Sequence, residues 1–232
     1  MITKLTEIGI NLKGRTSGQF KTTCPQCSHT RKKKNDPCLS VDIDNGVWNC
    51  HNCGWVGSVN GTPKKPYTRP EDIKSTLSDK TKEWFKTRGI SEQTLIDFCV
   101  GESKEFMPQE GKEMNCINFK YYRGEHLVNI KYRDAKKNFK LVKGAELIFY
   151  NLNSIIGAKE CIITEGEIDA MSFHEAGYRA VISVPNGASK GSQKLEYIDN
   201  CWQYLEGIER IIIATDSDEP GVALREEIAR RL

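Results

Sequence analysis

Three short runs rich in β-branched residues, at 161–164, 180–184 and 211–215, are each followed by sequence compatible with a helix. That alternation predicts βαβ units, and with them a parallel sheet buried on both faces. In such sheets ligands gather outside the carboxyl ends of the strands. Acids stand at those ends: Glu165 after the first run, Asp216 and Asp218 after the third, and Asp169 one helical turn beyond Glu165. Carboxylates brought so close raise one another's pKa, and a divalent cation relieves the conflict. An all-oxygen donor set suits Mg²⁺ or Mn²⁺. Helix capping is the alternative, because Asp and Glu are favoured at helix starts. Capping accounts for any one of these acids, but not for the same acidic chemistry closing two different strands.

The second constraint is cysteine spacing. Cys24-Pro-Gln-Cys27 and Cys50-His-Asn-Cys53 form two CxxC pairs separated by 22 residues. Each pair sets two thiolates on a tight knuckle, and two knuckles complete a tetrahedral Zn²⁺ site. Between them, Asn45-Gly46 separates two strand-like runs and predicts a hairpin turn, so the whole reads as a small all-β zinc ribbon. Disulfides or redox thiols are the other readings. Nine cysteines, an odd number, and no secretory signal argue for a reducing, cytoplasmic compartment and so for one structural zinc. A module this small buries too little apolar surface to fold without it. Cys38 is read as a small buried apolar residue with no close partner, and His29 and His51 as bystanders. The run Arg31-Lys32-Lys33-Lys34 is either a solvated loop or a phosphate contact.

Charge changes along the 232 residues. Residues 1–70 carry a net +7, residues 71–160 a net +2 and residues 161–232 a net −6, within a total of +3. A basic front suits a polyanion and an acidic back suits metal ions. No run is long and apolar enough to span a membrane. Residues 57–70 are rich in Gly and Pro and read as a linker. The expected modules are a zinc ribbon at 1–58, a linker at 59–71, an α+β subdomain at 72–158 and an α/β domain at 159–232. Residues 78–100 show a helical pattern broken at Gly89, with Ser91 starting the second helix. Strands are expected in CINFKYY, HLVNIKYRD, FKLVKG and LIFY. Residues 120–143 hold eight Lys and Arg against two acids, and strand alternation puts Lys131 and Arg133 on one side. The last helix is expected at 221–232, with Leu224, Ile228 and Leu232 on one face. Glu167 is read as an outer-shell residue or an ordinary first-turn acid, and residues 185–188 as a turn, either plain or lining the site.

TEGEIDAM followed by ATDSDEPG resembles the TOPRIM domain of primases and topoisomerases, above all the primase half of phage primase–helicases and their Twinkle relatives. WFKTRGISEQTL, KYRDAKKNFK and FYNLN extend the likeness upstream. The resemblance implies a DNA primase that copies single-stranded DNA into short RNA primers from ribonucleoside triphosphates by nucleotidyl transfer. In it, Glu165, Asp216 and Asp218 would hold Mg²⁺ or Mn²⁺, with Asp169 supporting. Lys131 and Lys137 match the lysines that bind nucleotide phosphates, and Arg133 and Lys140 lie in the same motif. The ribbon would help read the template. A replicative helicase, fused or separate, is the expected partner, and no membrane. The resembled domain continues past residue 232 and the helicase's GxxxxGKT loop is missing, so a fragment of a longer protein is expected. The rival readings are a topoisomerase, an OLD-type nuclease and a non-catalytic recombination mediator.

Overall fold

In the computed structural model, which describes residues 2–59, 67–72, 75–188 and 195–232, the chain divides into Met1–Pro66 and Tyr67–Leu232. The first unit opens with helix α1 (Ile2–Glu7). Strands β1 (Gln19–Thr22), β2 (Leu39–Asp42), β3 (Val47–Cys50) and β4 (Val56–Ser58) then form an antiparallel sheet in sequence order. The β2–β3 turn sits at Asn45-Gly46 as expected, with Gly46 at φ 64° and the Asp42 carboxylate accepting from the Asn45 N–H. Leu5, Ile10 and Leu12, from a stretch whose role the sequence leaves unread, pack with Leu39, Val41 and Ile43 around the cysteines. Trp48 lies across its register partner Gly57, where a Cβ would come within 2.3 Å of the indole. The expected linker is only partly visible. Its start belongs to β4, Thr68 donates its backbone N–H to Gly144, and residues 60–66 lie outside the described residues.

The second unit begins with two short helices. Ser78 caps α2 (Asp79–Lys86) and Ser91 caps α3 (Glu92–Asp97), each accepting the backbone N–H three residues on. Gly89 separates them at φ 72°. An antiparallel sheet follows: β5 (Val100–Met107), β6 (Lys112–Arg123), β7 (His126–Asp134) and β8 (Phe139–Leu141). Next come β9 (Glu160–Thr164), α4 (Glu167–Glu175), β10 (Val181–Ser183), α5 (Glu196–Leu205), β11 (Arg210–Ala214) and α6 (Glu219–Arg231). The three strands of this half are parallel, in the order β10-β9-β11, as the β-branched runs predict.

Three expectations need correction. β5 is a strand that the sequence does not announce. LIFY is not one: Ile148, Phe149 and Tyr150 are fully buried, and only Tyr150 bridges, to Ser183. The last helix starts at Glu219, and Leu232 is 39% exposed while Leu224 and Ile228 are buried. One apolar core runs from Phe85 and Leu95 through Phe119 and Tyr121 to Ile163 and Ile228, across residue 158. Among the described residues no helix is long and apolar enough to cross a membrane.

Ile163 has no exposed surface and pairs with Ile182 on one side and Ile213 on the other. Ile163→Ala therefore loses about 2–5 kcal/mol of stability, read from the urea midpoint by circular dichroism. A loss well under 1 kcal/mol would show that β9 is not at the centre of the core.

Candidate active site and metal centre

The two knuckles converge. The sulfurs of Cys24, Cys27, Cys50 and Cys53 all lie within 4.8 Å of one another, the only such group of possible metal ligands among the described residues. Cys24 and Cys53 stand 3.8 Å apart and Cys27 and Cys50 3.7 Å. Sulfurs around tetrahedral zinc are about 3.8 Å apart for a Zn–S bond of about 2.3 Å. Burial pushes the Cys24 and Cys27 thiols up. Cys50 is drawn down to about 6 against its own burial, chiefly by the Cys53 and Asn52 amides. Thiols so crowded, three of them buried, need a cation before all can ionise, and the donor set fits Zn²⁺. Cys38 corrects the sequence reading: its sulfur lies 3.7 Å from Cys50 and 3.9 Å from Cys27. His51 bonds Ser40 instead of joining the cluster.

β9 is the middle strand of its sheet. Its connection through α4 leads to one side, and the chain then crosses to β11 on the other. This is a topological switch point, where open α/β sheets bind ligands. A cleft of about 460 Å³ lies there, bordered by Glu165, Asp169 and Asp216, by the 185–188 turn, and by Lys131 and Lys140. The Glu165 carboxylate accepts the backbone N–H groups of Ala188 and Asp216, both at 3.2 Å. The Asp169 carboxyl is pushed up by its packed surroundings and then by Asp216, Glu165 and Glu167. Two glycines make the approach possible. A Cβ on Gly166 would meet the Asp169 carboxylate at 2.8 Å, and one on Gly221 would meet the Asp216 carbonyl at 2.3 Å. Neither requirement is visible in the sequence pattern. Asp218 is the N-cap of α6, accepting the Gly221 N–H at 2.9 Å, and does not line the cleft.

The basic motif divides. Lys131 lines the cleft, with its ammonium 2.8 Å from Glu167 Oε1, and both side chains are buried. The same oxygen accepts the Tyr121 hydroxyl at 2.5 Å. Burial, and then Glu167, hold the Tyr121 phenol well above its ordinary value, so it stays a donor. Lys140 borders the cleft but gives its ammonium to Glu105 and the Phe106 carbonyl. Arg133 and Lys137 instead line a second cavity of about 290 Å³ with Lys80, Trp84 and Arg88. Arg133 is buried, and its guanidinium lies over the Trp84 ring, as does that of Arg88. Burial, and then Arg88, push Arg133 down. The sequence reading missed Tyr121, Trp84 and Arg88.

Residues 159–232 match the Toprim domain family. The chain is 33% identical to the Twinkle homolog protein, chloroplastic/mitochondrial, of Arabidopsis thaliana, over 99% of this chain and 35% of that protein. It is also 33% identical to the primase homolog protein of Arabidopsis thaliana, over 100% of this chain and 75% of that protein. The chain thus spans about a third of the first relative and three quarters of the second. The crystal structure of the primase fragment of the bacteriophage T7 primase-helicase protein shares the fold, with a TM-score of 0.55, 23% identity, and coverage of 92% of this chain and 86% of that one. With a TOPRIM domain behind a four-cysteine ribbon, and a primase homologue matched along the whole of this chain, the chain belongs to the TOPRIM primase family of the phage primase–helicase and Twinkle type.

Proposed function

We propose that this chain is a DNA primase that extends short RNA primers on single-stranded DNA by nucleotidyl transfer from ribonucleoside triphosphates. The observation that carries the reading is the cleft at the β9 switch point, where Glu165, Asp169 and Asp216 face Lys131. Carboxylates on one wall and a fixed ammonium on the other suit a substrate that is a metal-bound polyphosphate. Glu165 and Asp216 would hold Mg²⁺ or Mn²⁺, with Asp169 beside them; Asp218, two residues beyond Asp216, would join them only by leaving its cap on α6. When bound, the metal lowers the pKa of the attacking 3′-hydroxyl and draws charge from the leaving pyrophosphate. Lys131 binds the triphosphate and offsets the charge that grows on it. Arg133 and Lys137 take phosphate oxygens in the neighbouring cavity. The ribbon, held by one structural Zn²⁺ on Cys24, Cys27, Cys50 and Cys53, contributes to template contact. The partners on this reading are the DNA template and a replicative helicase, in the cytoplasm. No feature of the cleft favours a topoisomerase, a nuclease or a recombination mediator.

Metal analysis checks the ribbon. Purified protein should carry about one zinc per chain, and chelation should melt Met1–Pro66 while the signal of Tyr67–Leu232 persists. A zinc-free chain with a folded ribbon would refute the assignment.

The acids are separated by conservative amides in a primer-synthesis assay on mixed-sequence single-stranded DNA. Asp216→Asn and Glu165→Gln should each cost at least about 100-fold in rate with little change in melting temperature. Asp218→Asn is the sharper case, because Asn caps a helix as well as Asp does. If Asp218 binds metal, the variant loses activity with the cap intact. Wild-type activity in Asp218→Asn would leave it a cap alone, and wild-type activity in Asp216→Asn would sink the site.

A further inference from the structure

Glu167 is the first residue of α4, where an acid ordinarily caps or favours the helix dipole. Its carboxylate does not cap the backbone: Gly166 is the N-cap, and no side chain caps the helix. One oxygen, Oε1, accepts from both Tyr121 and Lys131. Tyr121 comes from β6 and Lys131 from β7. The register Phe119↔Lys131 and Tyr121↔Asn129 makes them diagonal neighbours on one face of the sheet. The residues Tyr121, Lys131 and Glu167 are 0%, 7% and 4% exposed.

Stability alone does not explain this cluster. A buried ion pair is weak evidence for stability, since apolar residues of the same volume are often as stable. Its geometry does explain a sorting of charge. An ammonium has three donors, and Glu167 uses one of Lys131's. The Phe139 ring lies 5.0 Å from the nitrogen on another side. The cleft also holds Glu165, Asp169 and Asp216, toward which a free lysine on its flexible stem is drawn. Closing onto them, it would occupy the carboxylates that metal needs.

We propose that Tyr121 and Glu167 are positioning residues of the nucleotidyl-transfer site: they hold the Lys131 ammonium off the metal-binding carboxylates and leave its remaining donors to a nucleotide triphosphate. The proposal rests on the primase reading above. The buried Tyr121 hydroxyl fixes which way Glu167 points, and Glu167 fixes Lys131.

The test uses Tyr121→Phe, Glu167→Gln and Glu167→Ala in the full chain. One arm needs no activity. Lys131 is acylated with an amine-reactive reagent and read by peptide mass spectrometry against the exposed Lys32 in the same molecule. Lys131 should react slowly in the wild type and at least about tenfold faster in Glu167→Ala, because its buried partner is gone. The other arm measures the first dinucleotide. Glu167→Ala should raise the nucleotide KM about tenfold and raise the Mg²⁺ concentration needed for half-maximal rate, with single-stranded DNA affinity within about twofold. Glu167→Gln keeps an oxygen that accepts both donors and should recover most of this, with Tyr121→Phe between the two. A merely structural cluster would move the melting temperature and neither constant. Unchanged nucleotide and Mg²⁺ constants in both Glu167→Ala and Tyr121→Phe, or a wild-type Lys131 as reactive as Lys32, would overturn the proposal. A wild-type chain that makes no primer counts against the primase reading, and the acylation arm then decides the pairing by itself.

Discussion

Strand β9 can deliver an acid to the cleft because both of its edges are already paired, to β10 and to β11. A strand so enclosed has no freedom of register, since a slip of one residue would shift both ladders and swap the faces on which the buried Ile163 and Thr164 pack. Glu165 must therefore emerge at one point, above the sheet, where the connections on either side diverge. The helix that follows begins two residues later. So tight a strand-to-helix turn leaves no room for a side chain at position 166, and the Asp169 carboxylate occupies the space. The same constraint recurs at β11, where Gly221 lies against the Asp216 carbonyl so that α6 can fold back on its own loop. The two acidic motifs are thus backbone-packing motifs as much as ligand motifs. At position 221 the obstacle is backbone, so glycine is required whether or not metal binds; at position 166 it is the Asp169 side chain, which a larger residue would displace.

What was legible in the sequence is what local pattern can encode. The β-branched runs, the CxxC spacing and the Ser91 cap each depend on residues a few positions apart, and each appears in the structure where the pattern puts it. What was not legible depends on partners distant in the chain. β5 carries Glu102, Ser103, Lys104 and Glu105 in mid-strand, and it is a strand because eight residues find a partner in β6. Lys131 and Lys137 look like neighbours in one motif. The β7–β8 hairpin between them, built around the Asp134 carboxylate accepting the Lys136 and Asn138 N–H groups, sends Lys137 at φ 65° into a different cavity. Cys38 shows no motif partner, yet folding places it against two of the four clustered thiols.

Charged groups are unusually frequent in the interior of the second unit, and most are matched. Lys131 meets Glu167, Glu146 meets Arg123 in a two-point contact at 3.0 and 2.8 Å, and Asp134 is saturated by the hairpin it organises. Removing one partner of such a pair costs more than the pair contributes, because the remaining charge stays buried. Arg133 departs from this rule. Among the described residues its guanidinium has aromatic rings for neighbours and no carboxylate at ion-pair distance, beside a cavity bordered by two lysines and a second arginine. Aromatic faces hold a cation without neutralising it. Its charge is therefore still available to an anion, which Lys140, committed to Glu105, no longer offers.

The balance of charge in the cleft decides the order in which its occupants enter. Glu165, Asp169 and Asp216 stand there together, and among the described residues the two lysines that border the cleft are already paired, Lys131 with Glu167 and Lys140 with Glu105. A nucleotide triphosphate is itself strongly anionic. In a partly desolvated site, repulsion at separations of a few ångströms is worth several kcal/mol, more than one shared lysine offsets. Packed surroundings, and then the same acidic neighbours, push the Asp169 carboxyl up. If the cleft takes a nucleotide triphosphate, divalent cations would be a condition for its binding as well as for chemistry, since they would bring the wall of the cleft nearer neutrality. On the proposed reading, Mg²⁺ at Glu165 and Asp216 would therefore precede the triphosphate. Lys131, paired with Glu167, would then act on the phosphates and not on the carboxylates that the metal must reach.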